Sequence, residues 1–99
     1  MCEEDIQKIE KAQSGDKNAL EELIEENNGL IWSIVKRFYG RGHEPEDLYQ
    51  IGCLGFIKSI KRFNTDFEVK LSTYAVPYMI GEIKRYIRDD GPVKVSRSI

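Results

Sequence analysis

The sequence predicts an all-α fold, a compact bundle of about four to five helices. Apolar residues recur at intervals of three and four along most of the chain, which is typical of amphipathic helices. No stretch keeps the alternation of apolar and polar residues that a strand needs, and Gly and Pro fall mostly between the periodic segments. The 99 residues suffice for one domain at most, so residues 1–99 are treated as one unit.

The first predicted helix covers residues 4–13 and ends near Gly15. The carboxylate of Asp16 is well placed to cap the second helix, which turns Leu23 inward. The stretch Asn27-Asn28-Gly29 either interrupts that helix or only bends it, and the residues alone leave both possibilities open. A strongly apolar helical segment follows.

A loop is predicted over residues 39–43, and the next helix runs from Pro45 to about Arg62. Proline is well tolerated in the first turn of a helix because its missing N–H has no partner there. Gly52 and Gly55 lie inside this helix, and each lowers its stability by roughly 1 kcal/mol relative to Ala. We expect them to allow another helix to approach closely.

The last long helix is predicted to be capped by Ser72 or Thr73, with Pro77 within or just past its first turn and its end near Asp89. Helical spacing gives this segment two faces. The apolar face is predicted to consist of Val76, Ile80, Ile83 and Ile87. The opposite face carries aromatic and basic residues, namely Tyr74, Tyr78, Gly81, Arg85 and Arg88.

Aromatic rings offer flat surfaces to unstacked bases, and cations neutralise phosphates, so the second face is typical of nucleic-acid binding. The alternative is that the tyrosines are half-buried core residues and that the cations belong to an ordinary solvated face.

The charge distribution along the chain supports the nucleic-acid interpretation. Residues 1–55 carry six cations and twelve acids, whereas residues 56–99 carry nine cations and five acids. The basic half suits nucleic acid, and the acidic half suits either a protein partner or solubility.

The composition disfavours several classes of protein. No run of about twenty apolar residues predicts a membrane span, and the acidic N-terminus does not resemble a secretory signal. Two cysteines and one histidine predict neither a disulfide framework nor a metal site. No nucleophile–base pair or phosphate loop indicates an enzyme. We therefore expect a cytoplasmic protein that has no cofactor and no catalytic residues.

Residues 46–59 (EDLYQIGCLGFIKS) resemble region 2.2 of bacterial sigma-70-type sigma factors, and residues 70–75 (KLSTYA) resemble region 2.3. Residues 27–41 resemble region 2.1. The segment 88–98 is most similar to sporulation sigma factors of endospore-forming Firmicutes, particularly the forespore-type group.

The resemblance implies sigma domain 2, covering regions 1.2 to 2.4 with the start of region 3 at about 92–99. It implies binding to RNA polymerase core and recognition and melting of the promoter −10 element during transcription initiation. Such sigma factors also have domains 3 and 4, so we expect this chain to be a truncated form or a fragment.

The resemblance also implies residue roles. In the family, the region 2.2 helix docks on a coiled coil of the largest polymerase subunit. The positions that match this polymerase-binding surface are Asn27, Asp47, Leu48, Gln50 and Leu54. A simpler interpretation of Asp47 is that it stabilises the helix N-terminus, worth roughly 0.3–1 kcal/mol, and the two can hold together.

Tyr74 matches the aromatic residue on which a flipped base of the non-template strand stacks, and Lys70 matches a basic position beside that strand. Tyr78 matches the second of two paired tryptophans in primary sigma factors. The chain departs from the family at the first of that pair, which is Pro77, and at Leu71, where Phe is usual. Strand opening should therefore be less autonomous.

Gly81 and Lys84 match positions that read the upstream edge of the −10 element, and Arg85 matches a basic residue nearby. Because Gly81 has no side chain to read a base, promoter preference should differ from that of primary factors. The full predicted DNA-binding set is Lys70, Tyr74, Tyr78, Gly81, Lys84, Arg85, Arg88, Lys94 and Arg97.

A second hypothesis remains at this point. The chain could be a helical protein-interaction module that is bound by an anti-sigma regulator and makes no direct DNA contact. The family resemblance makes an anti-sigma factor an expected partner in either case. The cluster of tyrosines and cations on the last helix favours DNA binding, because a pure interaction module has no need for it.

Overall fold

A computed structural model describes residues 3–40, 42–66 and 68–90. The helices in this part of the chain are α1 (Glu3–Gln13), α2 (Lys17–Glu26), α3 (Asn28–Lys36), α4 (Pro45–Arg62) and α5 (Leu71–Asp90). No strand occurs among the described residues. The predicted all-α class with about five helices is therefore confirmed.

The α2–α3 junction settles the question that the sequence left open, because a single residue, Asn27, interrupts the helix. Its side-chain amide donates to the Leu23 carbonyl at 2.9 Å, and its own carbonyl accepts from the Ile31 amide at 3.0 Å. The predicted cap at Asp16 is confirmed, since its carboxylate accepts from the amides of Asn18 and Ala19.

The predicted start of the last helix is wrong. Helix α5 begins at Leu71, and the amide of Tyr74 donates to the carbonyl of Lys70, so Ser72 and Thr73 lie inside the first turn. Leu71 is buried in the core, and this tertiary contact favours a start before the capping hydroxyls. Pro77 consequently lies within the helix rather than close to its first residue.

The predicted apolar face of α5 is only partly correct. The fully buried row recurs every four residues and consists of Leu71, Ala75, Met79 and Ile83. Three members of the predicted face are only partly buried against the core, namely Val76, Ile80 and Ile87. The buried face is turned toward Met79 because the α5 backbone at that residue lies against Gly55 of α4.

Helix α4 lies directly against α5 at Gly55. A Cβ atom added to Gly55 would lie 2.7 Å from both the Met79 Cα atom and the Tyr78 carbonyl oxygen, so only glycine fits. Gly52 faces α3 less tightly, because an added Cβ atom would lie 3.2 Å from the Cγ2 atom of the Ile31 side chain and would not meet backbone. The prediction that these glycines allow close helix approach is confirmed, and the approaching helices belong to the chain itself.

Helix α1 is attached to the far end of α4. The side-chain amide of Gln13 donates to the carbonyls of Ile60 and Phe63, at 2.9 and 2.6 Å. The Ile60 carbonyl also accepts from the Phe63 amide at 3.2 Å, and Phe63 is the C-cap residue of α4. Gln13 therefore adds side-chain hydrogen bonds to the C-terminal end of α4, where helix carbonyls run short of partners. The first and fourth helices are thereby connected where the chain turns toward α5.

We predict that Gly55→Ala lowers the free energy of unfolding by about 1–3 kcal/mol, because the added methyl group forces the α4 and α5 backbones apart. Gly81→Ala is the matched control in α5. An added Cβ there meets nothing within 4 Å, so the better helix propensity of Ala should raise stability by roughly 0.5–1 kcal/mol. Urea unfolding followed by the fluorescence of Trp32 measures both, and equal effects would contradict the close contact.

Candidate nucleic-acid interface

Two tyrosine rings form a platform at the start of α5. The Tyr74 ring packs edge-on against Phe63, with centroids 5.2 Å apart, and lies 5.3 Å from the Tyr78 ring. The two hydroxyl oxygens are 3.1 Å apart, and the Tyr74 hydroxyl also donates to the Arg62 carbonyl at 3.4 Å. The hydrogen bond with Tyr78, together with burial, raises the pKa of Tyr74. The platform residues are half-buried, so one side is anchored while part of each ring faces solvent.

A groove of about 340 Å³ continues from this platform along α5. Its lining includes the predicted DNA-binding residues Tyr78, Gly81, Lys84, Arg85 and Arg88. Open space lies in front of Gly81, because a Cβ atom added there meets nothing within 4 Å. The structure thus brings together five of the nine predicted residues in one basic groove that starts at an aromatic platform. Lys94 and Arg97, and the predicted start of region 3 at 92–99, lie outside the described residues.

Lys70 lies elsewhere. It lines a separate cleft of about 440 Å³ together with Asp5 of α1, Glu26 and Asn27. Asn27 was predicted to contact a different partner, yet the two residues share this cleft. The acids beside Lys70 were missed by the sequence interpretation, because no local pattern shows that α1 lies next to the start of α5.

Glu82 is the main site residue that the sequence interpretation missed. Its carboxylate lies 3.1 Å from the Lys58 Nζ atom of α4 and 2.6 Å from an Arg85 guanidinium nitrogen, and its side chain is 15% exposed. Burial by itself would raise the pKa of Glu82, but the hydrogen bonds from Lys58 and Arg85 outweigh burial and hold that pKa below its usual value. An acid therefore lies within the basic groove and pairs with one of its cations.

Four of the five predicted polymerase-binding residues lie on α4, whereas Asn27 lies at the α2–α3 junction in the cleft with Lys70. Asp47 and Gln50 are exposed, and Leu54 is 42% exposed. Leu48 is fully buried, at 0% exposure. It has no surface to offer a partner in this conformation, so any contribution to polymerase binding is through the packing of α4.

An aromatic pair lies beside this surface. The rings of Trp32 and Tyr49 stack with centroids 4.5 Å apart, and the Tyr49 hydroxyl donates to the Asn28 side-chain carbonyl. Burial, followed by a hydrogen bond with Cys53, raises the pKa of Tyr49 to about 12. The stack joins α3 to α4 beside the surface that carries Asp47 and Gln50.

Within residues 3–40, 42–66 and 68–90, no three or more His, Cys, Asp or Glu side chains are grouped so that they could hold a metal ion. Across the same part of the chain, no helix combines the length and the apolar character that crossing a membrane requires.

The fold and the site define a class of protein. Residues 23–92 match the model of the family described as sigma-70 region 2, and the chain belongs to that family. It is 57% identical over 91 residues to the RNA polymerase sigma-F factor of Bacillus subtilis (strain 168), and 55% identical over 91 residues to that of Priestia megaterium. It is 51% identical over 85 residues to the RNA polymerase sigma-G factor of Bacillus subtilis.

These alignments cover different shares of the two partners. They include 92% of this chain for the two sigma-F factors and 86% for the sigma-G factor. They include only 36%, 36% and 33% of the relatives themselves. The chain therefore spans about a third of the length of these sigma factors. The predicted family, including its sporulation branch, is confirmed.

We predict that Glu82→Gln lowers the free energy of unfolding by about 1 kcal/mol at pH 7, because it removes a charge partner of Lys58 and Arg85. The pKa of Glu82 is depressed in the folded state, so its contribution is present above the unfolded-state pKa and is lost as the pH falls through the folded-state pKa. The difference between wild type and variant should therefore shrink between pH 5 and pH 3.

Urea unfolding at each pH, followed by Trp32 fluorescence, measures that difference. Glu68→Gln changes an exposed carboxylate and should alter stability by less than about 0.5 kcal/mol. A difference for Glu82→Gln that grows on acidification would contradict the assigned ion pairs.

Proposed function

We propose that this chain binds RNA polymerase core in the cytoplasm and recognises and melts the promoter −10 element during transcription initiation in sporulation. Membership of the sigma-70 region 2 family supports the class of function. The observation that carries the proposal is the tyrosine platform of Tyr74 and Tyr78, which opens onto a basic groove. This combination suits a DNA strand with unstacked bases better than it suits a protein surface.

The platform would capture a base that has left the duplex. Phe63 and the Arg62 carbonyl hold Tyr74 from behind, so the ring loses little freedom when a base stacks on it. Base–aromatic stacking is worth about 1–3 kcal/mol. Unpairing one base costs a few kcal/mol, so this platform can offset most of that cost but cannot open a duplex unaided.

The groove would position the DNA backbone. Lys84 and Arg88 are exposed, and Arg85 is 53% exposed, so phosphates can reach all three. Gly81 offers space and no hydrogen-bonding side chain, which favours close approach of a base edge over direct reading of it. Pro77 is exposed on α5 where a tryptophan would act as a wedge, so we assign part of the strand opening to the polymerase.

Polymerase binding would use the exposed polar row of α4. Asp47, Gln50 and Leu54 lie at positions where a partner helix can contact them, and Leu48 anchors the same helix from inside. Polar residues around an exposed leucine are typical of a transient protein interface. An anti-sigma factor that covers Leu54 would compete with the polymerase for this surface. Such competition would be the means by which it regulates the chain.

The first test concerns base capture. We predict that Tyr74→Ala weakens binding of a single-stranded −10 oligonucleotide to the polymerase–chain complex by about 5- to 100-fold, the loss of one stacking contact. Tyr74→Phe is the matched control, because it keeps the ring and its packing on Phe63 and should stay within about threefold of wild type. Fluorescence anisotropy with a labelled oligonucleotide measures both, and equal capture by wild type and Tyr74→Ala would reject the function.

The second test concerns the polymerase. Asp47→Ala combined with Gln50→Ala should weaken binding to polymerase core by about tenfold or more. The free energy of unfolding should fall by no more than about 1 kcal/mol, the contribution of Asp47 at the start of α4, since both side chains are exposed. The double change Glu21→Ala and Glu25→Ala removes exposed polar groups from α2 and should leave core affinity alone. A lower melting temperature with unchanged core affinity would show that Asp47 and Gln50 serve folding instead.

A further inference from the structure

One feature of the basic groove has no place in base stacking or in simple phosphate binding, namely the acid within it. Glu82 follows Gly81 on α5 and lines the groove beside Lys84, Arg85 and Arg88. Its carboxylate contacts Arg85 on its own helix and Lys58 on α4. A groove that only had to attract DNA would be better served by a neutral residue at this position.

The Glu82 carboxylate has two cationic partners, and Arg85 is the one that lines the groove. The Glu82 side chain is 15% exposed, whereas the side chains of Arg85 and Lys58 are 53% and 41% exposed and have room to turn outward. When Arg85 turns to a phosphate in the groove, Lys58 at 3.1 Å remains available to Glu82. The largely buried carboxylate can therefore keep one partner, which avoids the cost of leaving it unpaired.

We propose that Glu82 limits the sequence-independent affinity of the groove for DNA, a role that depends on the DNA-binding function proposed above. It holds Arg85 in the free chain, so a phosphate has to compete with a carboxylate for that guanidinium. Sequence-independent attraction to duplex DNA is thereby weakened, while contacts to bases and to the tyrosine platform are unaffected. The result is weaker sequence-independent binding of the free chain to duplex DNA.

The test is a duplex titration with the 99-residue chain itself. A fluorescent promoter duplex and a scrambled duplex of equal length are titrated by anisotropy between about 50 and 200 mM salt. With three or four phosphate contacts, the wild-type log–log salt slope should be about −3. Glu82→Gln frees Arg85, so the slope should steepen to about −4. Both duplexes should bind roughly 3- to 10-fold more tightly at the lowest salt. The promoter-to-scrambled ratio should stay the same, because a phosphate contact carries no sequence information.

Two controls separate this effect from general charge removal. Glu68→Gln removes an exposed carboxylate from the same basic half of the chain and should change duplex affinity by less than about twofold, since exposed charges away from the contact are screened. Adding Arg85→Gln to Glu82→Gln should abolish the gain, because the freed guanidinium is its source.

A second variant, which is expected to weaken duplex binding, tests the proposal if Glu82→Gln folds poorly. Lys58→Met leaves Glu82 with Arg85 as its remaining partner in the ion pair, so duplex binding should weaken more than it does in Lys61→Met, an equal charge change one turn along α4. Fluorescence of Trp32 confirms that each variant is folded.

The outcomes distinguish this inference from the function on which it depends. Equal slopes and affinities for Glu82→Gln and Glu68→Gln, or equal losses for Lys58→Met and Lys61→Met, would overturn the role of Glu82. The proposed function would survive that result if Tyr74→Ala still lost strand capture. Absence of salt-dependent DNA binding in every variant, together with unchanged strand capture by Tyr74→Ala, would overturn both.

Discussion

The contact between α4 and α5 at Gly55 is the constraint on which the rest of the domain depends. The backbone of α5 at Tyr78 and Met79 lies so close to Gly55 that no side chain fits between the helices. Helix α4 carries the exposed Asp47 and Gln50, and helix α5 carries the tyrosine platform and the basic groove. Since packed interiors resist even small changes in separation, this contact sets how the two surfaces are oriented relative to each other. A partner that bound α4 would therefore also determine the orientation of α5 and its groove.

The N-terminal helix supports the same arrangement from the other end of α4. Gln13 binds the carbonyls of Ile60 and Phe63, and the Phe63 ring in turn supports Tyr74. Helix α1 lies before the segment 23–92 that matches the family model, yet it contacts the turn that holds the platform. The ion pair of Glu82 with Lys58 adds a polar connection between α4 and α5 to the close backbone contact at Gly55. Both connections fix the position of the groove and leave it open to solvent.

Local signals predicted much of this fold. The Asp16 cap, the start of α4 at Pro45 and the close approach at Gly55 each follow from the chemistry of one residue, and all three are present. The tyrosines and cations of α5 share a face because helical periodicity alone places them there. The sequence resemblance then supplied the family, which the comparisons confirm.

The remaining features depend on tertiary contacts that no local pattern encodes. The start of α5 at Leu71 and the buried row through Ala75 and Met79 follow from how closely α4 approaches. The Glu82 ion pairs require the register between two helices, and Lys70 lies in a separate cleft because of where α1 packs. In the sequence, Glu82 is only one acid among several cations, and nothing nearby shows that it pairs with Lys58.

Native-state hydrogen exchange tests the central claim, that α4 and α5 form one rigid frame. If the Gly55 contact unites them, the amides of Phe56, Ile60, Met79 and Ile83, all in buried positions, should exchange only through a common opening. The free energy of that opening should equal the global free energy of unfolding and should fall in parallel for all four amides as urea is added. Exchange of the Met79 and Ile83 amides at a distinctly lower free energy than those of Phe56 and Ile60 would mean that α5 opens by itself. In that case α4 could not fix the position of the groove, and the account of how the two surfaces are held together would be wrong.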